Sequence, residues 1–104
     1  MPQYGVVLVT ASSEAEAQHL AQALVTEQLA ACVNILPVRS VYTWQGELCD
    51  DGEYQLLIKT DLACFETLAA RVTALHSYDV PEIIALPIVQ GSPAYLSWLG
   101  QQVK

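Results

Sequence analysis

The sequence predicts an α+β fold, a split βαββαβ sandwich with an antiparallel sheet and an extra C-terminal helix. Three observations predict it. Apolar residues change five times between the period of a strand and that of a helix. Proline falls inside only the second and fourth strand-like blocks. The two halves of the chain share one strand–helix–strand order, with no linker, repeat or low-complexity tract between them.

Residues 5–10, Gly-Val-Val-Leu-Val-Thr, are a β-branched run that stops at Ala11-Ser12-Ser13, which makes a first strand. Ser13-Glu14-Ala15-Glu16 has capping-box spacing, a serine oxygen for the free N–H three residues on and a glutamate to reach back. Ala17, Leu20, Ala21 and Leu24 then follow at helical spacing and carry a first helix to about Leu29. Residues 32–44 return to strand character, Gln45-Gly46 and Asp50-Asp51-Gly52 read as turn signals, and residues 53–60 complete a hairpin as the third strand. Asp61 is an N-cap for a second helix, in which Leu62, Phe65, Leu68, Ala69, Val72 and Leu75 recur at three- and four-residue intervals and which ends near Ser77. After Tyr78-Asp79-Val80-Pro81 comes a fourth strand over 82–89. Ser92-Pro93 supplies a cap and a first-turn proline for the last helix.

This order is ferredoxin-like, and that topology puts strands one and three in the middle of the sheet. Pro37 and Pro87 lie in strands two and four, at the edges, where a missing N–H breaks no central ladder. Val6 and Leu8 alternate with Val7 and Val9, and Leu56 and Ile58 with Leu57, so both faces of the sheet are apolar. Two crossover helices cover one face. The other is left for a partner subunit.

Composition agrees. The 104 residues fit a single domain, 1–104, of which 53% is hydrophobic and 14% charged, where an average protein has about 25% charged residues. Too few ionised side chains remain to coat a small sphere, which predicts self-association. Four basic residues against 11 acidic ones give a net charge of −7. Such a chain repels phosphate backbones and attracts cations, so nucleic acid is not an expected partner. No apolar run reaches the ~18 residues of a membrane span, and the N-terminus has no basic leader. Neither a membrane partner nor export is expected, and the location read is cytoplasmic. Cys32, Cys49 and Cys64 are odd in number, without C-x-x-C spacing, so reduced thiols are expected.

Enzyme signatures are missing: there is no G-x-S-x-G elbow, Gly-rich phosphate loop or H-E-x-x-H helix, and Arg39, Arg71 and Asn34 sit in no anion-binding loop. The chain is read as a non-enzyme. Thr10-Ala11-Ser12-Ser13 also stands where a soft-metal chaperone of this topology carries Cys-x-x-Cys. The remaining metal candidates, Cys32, Cys49, Cys64, His19 and His76, share no local spacing, so a site has to assemble through space. Among them His76 stands out, because it opens the polar segment His-Ser-Tyr-Asp-Val-Pro-Glu. Tyr42 and Trp44 alternate with Val41 and Thr43 to form an aromatic shelf, with Glu53 and Lys59 from the facing strand; such a shelf also suits a subunit interface.

The blocks LAACVNI (29–35), SVYTWQGE (40–47), LLIKT (56–60), HSYDVPEII (76–84) and GSPAYLSWL (91–99) together resemble the CutA divalent-cation tolerance proteins over the whole chain. The resemblance implies a homotrimer similar to the PII signalling proteins and a role in tolerance of copper or another divalent cation, with no organic cofactor. In copper-binding members the ligands are a strand-one cysteine and two adjacent histidines. Here those positions match Val9, Leu75 and His76, so His76 is the one candidate ligand that remains, joined by Cys32, Glu82 or a neighbouring subunit. The alternative that the resemblance implies is a PII-like signalling or small-ligand module, with clefts between subunits lined by Tyr42, Trp44, Lys59, His76 and Glu82.

Overall fold

Strand β1 (Tyr4–Ala11) alternates strictly between half-buried and buried residues, as its apolar pattern requires. The structure, a computed structural model, describes residues 2–104. Helix α1 (Glu14–Thr26) starts at Ser13, whose Oγ accepts the Glu16 N–H at 3.1 Å. The Glu16 carboxylate reaches back one residue further than a capping box requires and accepts the Ser12 N–H and hydroxyl, both at 3.2 Å. Thr26 ends the helix earlier than its apolar spacing suggests. Gln28 takes a left-handed φ of 61°, its N–H bonds the Val25 carbonyl, and the Leu29 N–H bonds that of Leu24. That is a Schellman stop with glutamine where glycine is usual.

β2 (Cys32–Trp44) and β3 (Glu47–Asp61) form one long antiparallel hairpin, in register from Cys32 opposite Lys59 to Trp44 opposite Glu47. The turn is Gln45-Gly46 alone, with φ of 50° and 82°, the two positive values of the tight turn that matches strand twist. Asp50-Asp51-Gly52 is therefore not a turn. These residues pair with Val41, Ser40 and Arg39, and the third strand begins at Glu47 rather than 53. Cross-strand partners explain why two aspartates tolerate a strand here: Arg39 Nε donates to Asp50 at 2.8 Å, and the Tyr42 hydroxyl donates to Asp51 at 2.7 Å.

Asp61 caps as expected, its carboxylate accepting the Ala63 N–H at 2.9 Å, but the cap opens a 3₁₀ turn over Leu62–Cys64 before α2 (Phe65–Leu75) begins. β4 (Ile84–Pro87) is four residues long, shorter than the apolar run 82–89. α3 (Pro93–Gln102) starts at Ser92, which accepts the Tyr95 N–H.

The sheet order is β2-β3-β1-β4 with every pairing antiparallel, which places Pro37 and Pro87 in edge strands. Val7, Val9, Leu56 and Ile58 on one face pack against Ala17, Leu20 and Leu24 of α1 and Leu68 and Val72 of α2, all within one buried cluster. The register puts Val6, Leu8, Leu57, Ile84 and Leu86 on the other face. There Ile84 and Leu86 are each 50% exposed. α3 lies over only one end of that face, where Gly100 packs against the Tyr4 hydroxyl too closely for any Cβ to fit.

Candidate functional site

The polar segment after α2 folds across the C-terminal end of β1. His76 leaves the helix with an extended backbone, and its side chain is completely enclosed. Its Nε2 lies 2.7 Å from the Thr10 carbonyl oxygen, and its Nδ1 lies 3.0 Å from the Tyr78 backbone nitrogen. A carbonyl only accepts and a backbone N–H only donates, so the geometry assigns the neutral ring with its proton on Nε2. Both nitrogens are engaged, and neither has a lone pair free for a metal. The expected role of His76 as a metal ligand does not fit this arrangement. His76 instead ties the loop to the strand end.

Glu16 and Glu53 complete that junction. Glu16 Oε2 accepts the Ser77 N–H at 2.8 Å and sits 3.8 Å from His76 Nδ1. Burial pushes its carboxyl pKa up, but the hydrogen bonds from Ser77 and Ser12 outweigh burial and hold it below the usual value of 4.5. Its contribution is therefore present above the unfolded value near 4.5 and is lost as pH falls through the lower folded value. Glu16→Gln is expected to destabilise the protein by about 1–3 kcal/mol at neutral pH. In urea unfolding series the gap from the wild type should close as pH falls through the lowered folded value, where the wild-type carboxyl also takes up its proton.

Glu53 is only 6% exposed, although it lies just beyond the last β1 pairing, Ala11 opposite Tyr54. Its Oε2 accepts the Tyr78 hydroxyl at 2.6 Å, a short charge-assisted bond. Burial and the Glu53 carboxylate both push the Tyr78 phenol up, and the bond to Asp51 pushes Tyr42 up to about 12. Both phenols therefore stay protonated donors.

Beside this junction lies a cleft of about 610 Å³. Tyr42 and Trp44 of the hairpin form one wall, Tyr78, Asp79 and Glu82 of the loop the other, and Thr10 and Glu53 lie between them. Tyr42, Trp44 and Glu82, expected in clefts between subunits, line this cleft within one subunit. His76 does not line it but bonds to Thr10 and Tyr78, which do. Lys59 belongs elsewhere. It pairs with Val6 and Cys32, six residues along β3 from Glu53 and hence about 20 Å away. Glu53, expected beside the aromatic shelf, also lines the cleft, and Tyr78 and Asp79 join it from the polar run after α2.

The other metal candidates are dispersed. Cys32 begins β2 at the Lys59 end, Cys49 lies opposite Tyr42 near the hairpin tip, and His19 is exposed on α1. The Cys64 thiol donates to the Lys104 carbonyl at 3.1 Å, and burial first, then Asp61, pushes its pKa up. Val9 and Leu75, the positions that the resemblance matched to metal ligands, belong to the core, Val9 fully buried and Leu75 packed against it. Among the described residues no three of His, Cys, Asp and Glu converge as a metal site.

Known proteins share this architecture closely. The family model for "CutA1 divalent ion tolerance protein" matches residues 5–102. The divalent-cation tolerance protein CutA of Thermus thermophilus is 56% identical over 95 residues, which are 90% of this chain and 92% of that protein. The chloroplastic CutA of Arabidopsis thaliana is 50% identical over 95 residues, which again are 90% of this chain but only 52% of that longer protein. The solved structure of the Thermus thermophilus divalent cation tolerance protein superposes with a TM-score of 0.94 at 52% identity, over 97% of this chain and 99% of that one. CutA1 from Oryza sativa superposes with a TM-score of 0.95 at 44% identity, over 98% of this chain and 94% of that one. A family model that spans both crossover units, the hairpin and the terminal helix leaves one assignment: the chain belongs to the CutA1 divalent ion tolerance family.

Proposed function

We propose that this protein acts in divalent-cation tolerance as a cytoplasmic homotrimer, and that the cation, copper included, is cargo held by groups of more than one subunit. The observation that carries this reading is the pairing of a net charge of −7 with the lack, among the described residues of one subunit, of any converging ligand set. Three subunits at −7 give −21, a field that concentrates cations around the particle. The exposed hairpin carboxylates, Glu47, Asp50 and Asp51, are oxygen donors that a second subunit can complete. Three free cysteines support a reducing compartment.

A calorimetric titration with Cu²⁺ tests this. His76→Ala, measured where it is folded, is expected to give the wild-type heat and stoichiometry, because the His76 nitrogens are already occupied. A variant that assembles only as a monomer is expected to lose at least tenfold in affinity. Full Cu²⁺ binding by the monomer, or its loss with His76→Ala, would overturn the shared-site reading. An assembled wild type that takes up no Cu²⁺ would overturn copper as the cargo.

A further inference from the structure

The cleft between the hairpin and the loop after α2 is lined by none of the hairpin carboxylates Glu47, Asp50 and Asp51 proposed as metal donors. Three aromatic side chains, Tyr42, Trp44 and Tyr78, line it together with three carboxylates, Glu53, Asp79 and Glu82, and among the described residues no lysine, arginine or histidine does so. Its volume of about 610 Å³ is that of a small-molecule pocket, which typically spans about 300–1,000 Å³. We propose that this cleft binds a small organic ammonium ion. The proposal does not depend on where metal cargo is held.

Glu53 gives the cleft its fixed negative pole. It is 6% exposed, and only one of its carboxylate oxygens, Oε2, accepts a hydrogen bond from the protein. No fully buried side-chain oxygen or nitrogen lacks a partner among the described residues, so Oε1, which has none, is reached by solvent on a residue that lines the cleft. A nearly buried carboxylate with a free oxygen favours a cation there.

The rest of the lining selects which cation. The Tyr42 and Tyr78 hydroxyls are spent as donors to Asp51 and Glu53, so they enter the cleft as rings rather than as phenolate ligands. A divalent metal would exchange a tightly held water shell for too few donors, since no three ligating groups converge. An alkylammonium spreads its charge over methyl or methylene groups, is weakly hydrated, and is attracted by the negative faces of Trp and Tyr. Val41 and Val80 add apolar lining for its carbon chain.

Choline chloride is the probe. Its uncharged isostere 3,3-dimethyl-1-butanol controls for shape, and sodium chloride at equal ionic strength controls for screening. Binding is read by calorimetry on the full chain, and by Trp44 fluorescence in a Trp98→Phe background, because Trp98 is also 41% exposed and would contribute signal. Saturable choline binding is expected, about 3- to 30-fold tighter than that of the isostere, the range that a cation over aromatic rings supplies. Trp44→Ala, at a position 47% exposed in the hairpin and so tolerant of truncation, is expected to weaken choline by about the same factor. Glu53→Gln should weaken choline and leave the isostere unchanged. The idea is wrong if choline gives only the sodium chloride response, if the isostere binds as tightly, or if Trp44→Ala leaves choline affinity unchanged. The first two outcomes need no variant to fold.

Discussion

His76→Ala is expected to destabilise the protein by about 3–5 kcal/mol in urea unfolding at fixed protein concentration. The side chain is wholly enclosed and joins two backbone groups of distant segments, the Thr10 carbonyl at 2.7 Å and the Tyr78 N–H at 3.0 Å. Alanine removes both bonds and leaves a void as large as the ring. Each stranded backbone group loses about 1–3 kcal/mol, and the void adds to that. Two conservative variants divide the loss. Asparagine can accept the N–H two residues ahead, as asparagine does in turns, but cannot reach Thr10. Glutamine reaches further and can donate to Thr10 but gives up Tyr78. Each is expected to recover part of the loss, and the two parts report the two bonds. A change of less than 0.5 kcal/mol for alanine would show that this junction does not hold the loop in place.

The junction also marks where the sequence stopped being sufficient. Edge placement of Pro37 and Pro87, the Ser13 cap and the Asp61 cap depend on neighbours within a few residues, and all were readable. The Asp50-Asp51-Gly52 segment looked like a turn because its residues favour turns in isolation. Only the cross-strand partners Arg39 and Tyr42, 11 and 9 residues away, make it a strand. That one displacement misplaced Lys59. With a short third strand, Lys59 appears close to the aromatic shelf, whereas the true hairpin turn at Gln45-Gly46 sends it to the opposite end of the ladder, beside Cys32. The cleft was partly legible. Tyr42 and Trp44 followed from alternation alone, while the burial of Glu53 depends on Tyr78, 25 residues away, and so on how the loop after α2 crosses the strand ends.

Leu57→Asp is expected to turn the proposed trimer into a folded monomer. Light scattering at micromolar concentration should show the mass fall from three times 11.3 kDa to 11.3 kDa. Leu57 sits in the central strand β3, paired with Leu8 and Asn34, and Leu8 in turn pairs with Ile84. This row crosses the sheet face that neither crossover helix covers. In a monomer Leu57 is half-buried, so the substitution loses part of its apolar contact as well as strand propensity, about 1–2 kcal/mol together, and the chain still folds. Against a second copy of the same face the carboxylate would be buried without a counter-charge, a penalty of several kcal/mol repeated in every subunit. Lys59 on the same face pairs with Val6, two residues from Leu57 along the strand, and its flexible stem is too costly to straighten into every copy of a close-packed interface. Leu57→Thr, which introduces a β-branched residue of high strand propensity and adds no charge, is the control and should stay assembled. Were Leu57→Asp to remain trimeric, the apolar face would not be the interface. The excess of hydrophobic residues, 53% against 14% charged, would then have to be buried through the hairpin tip, where Val41 and Leu48 are 64% and 77% exposed.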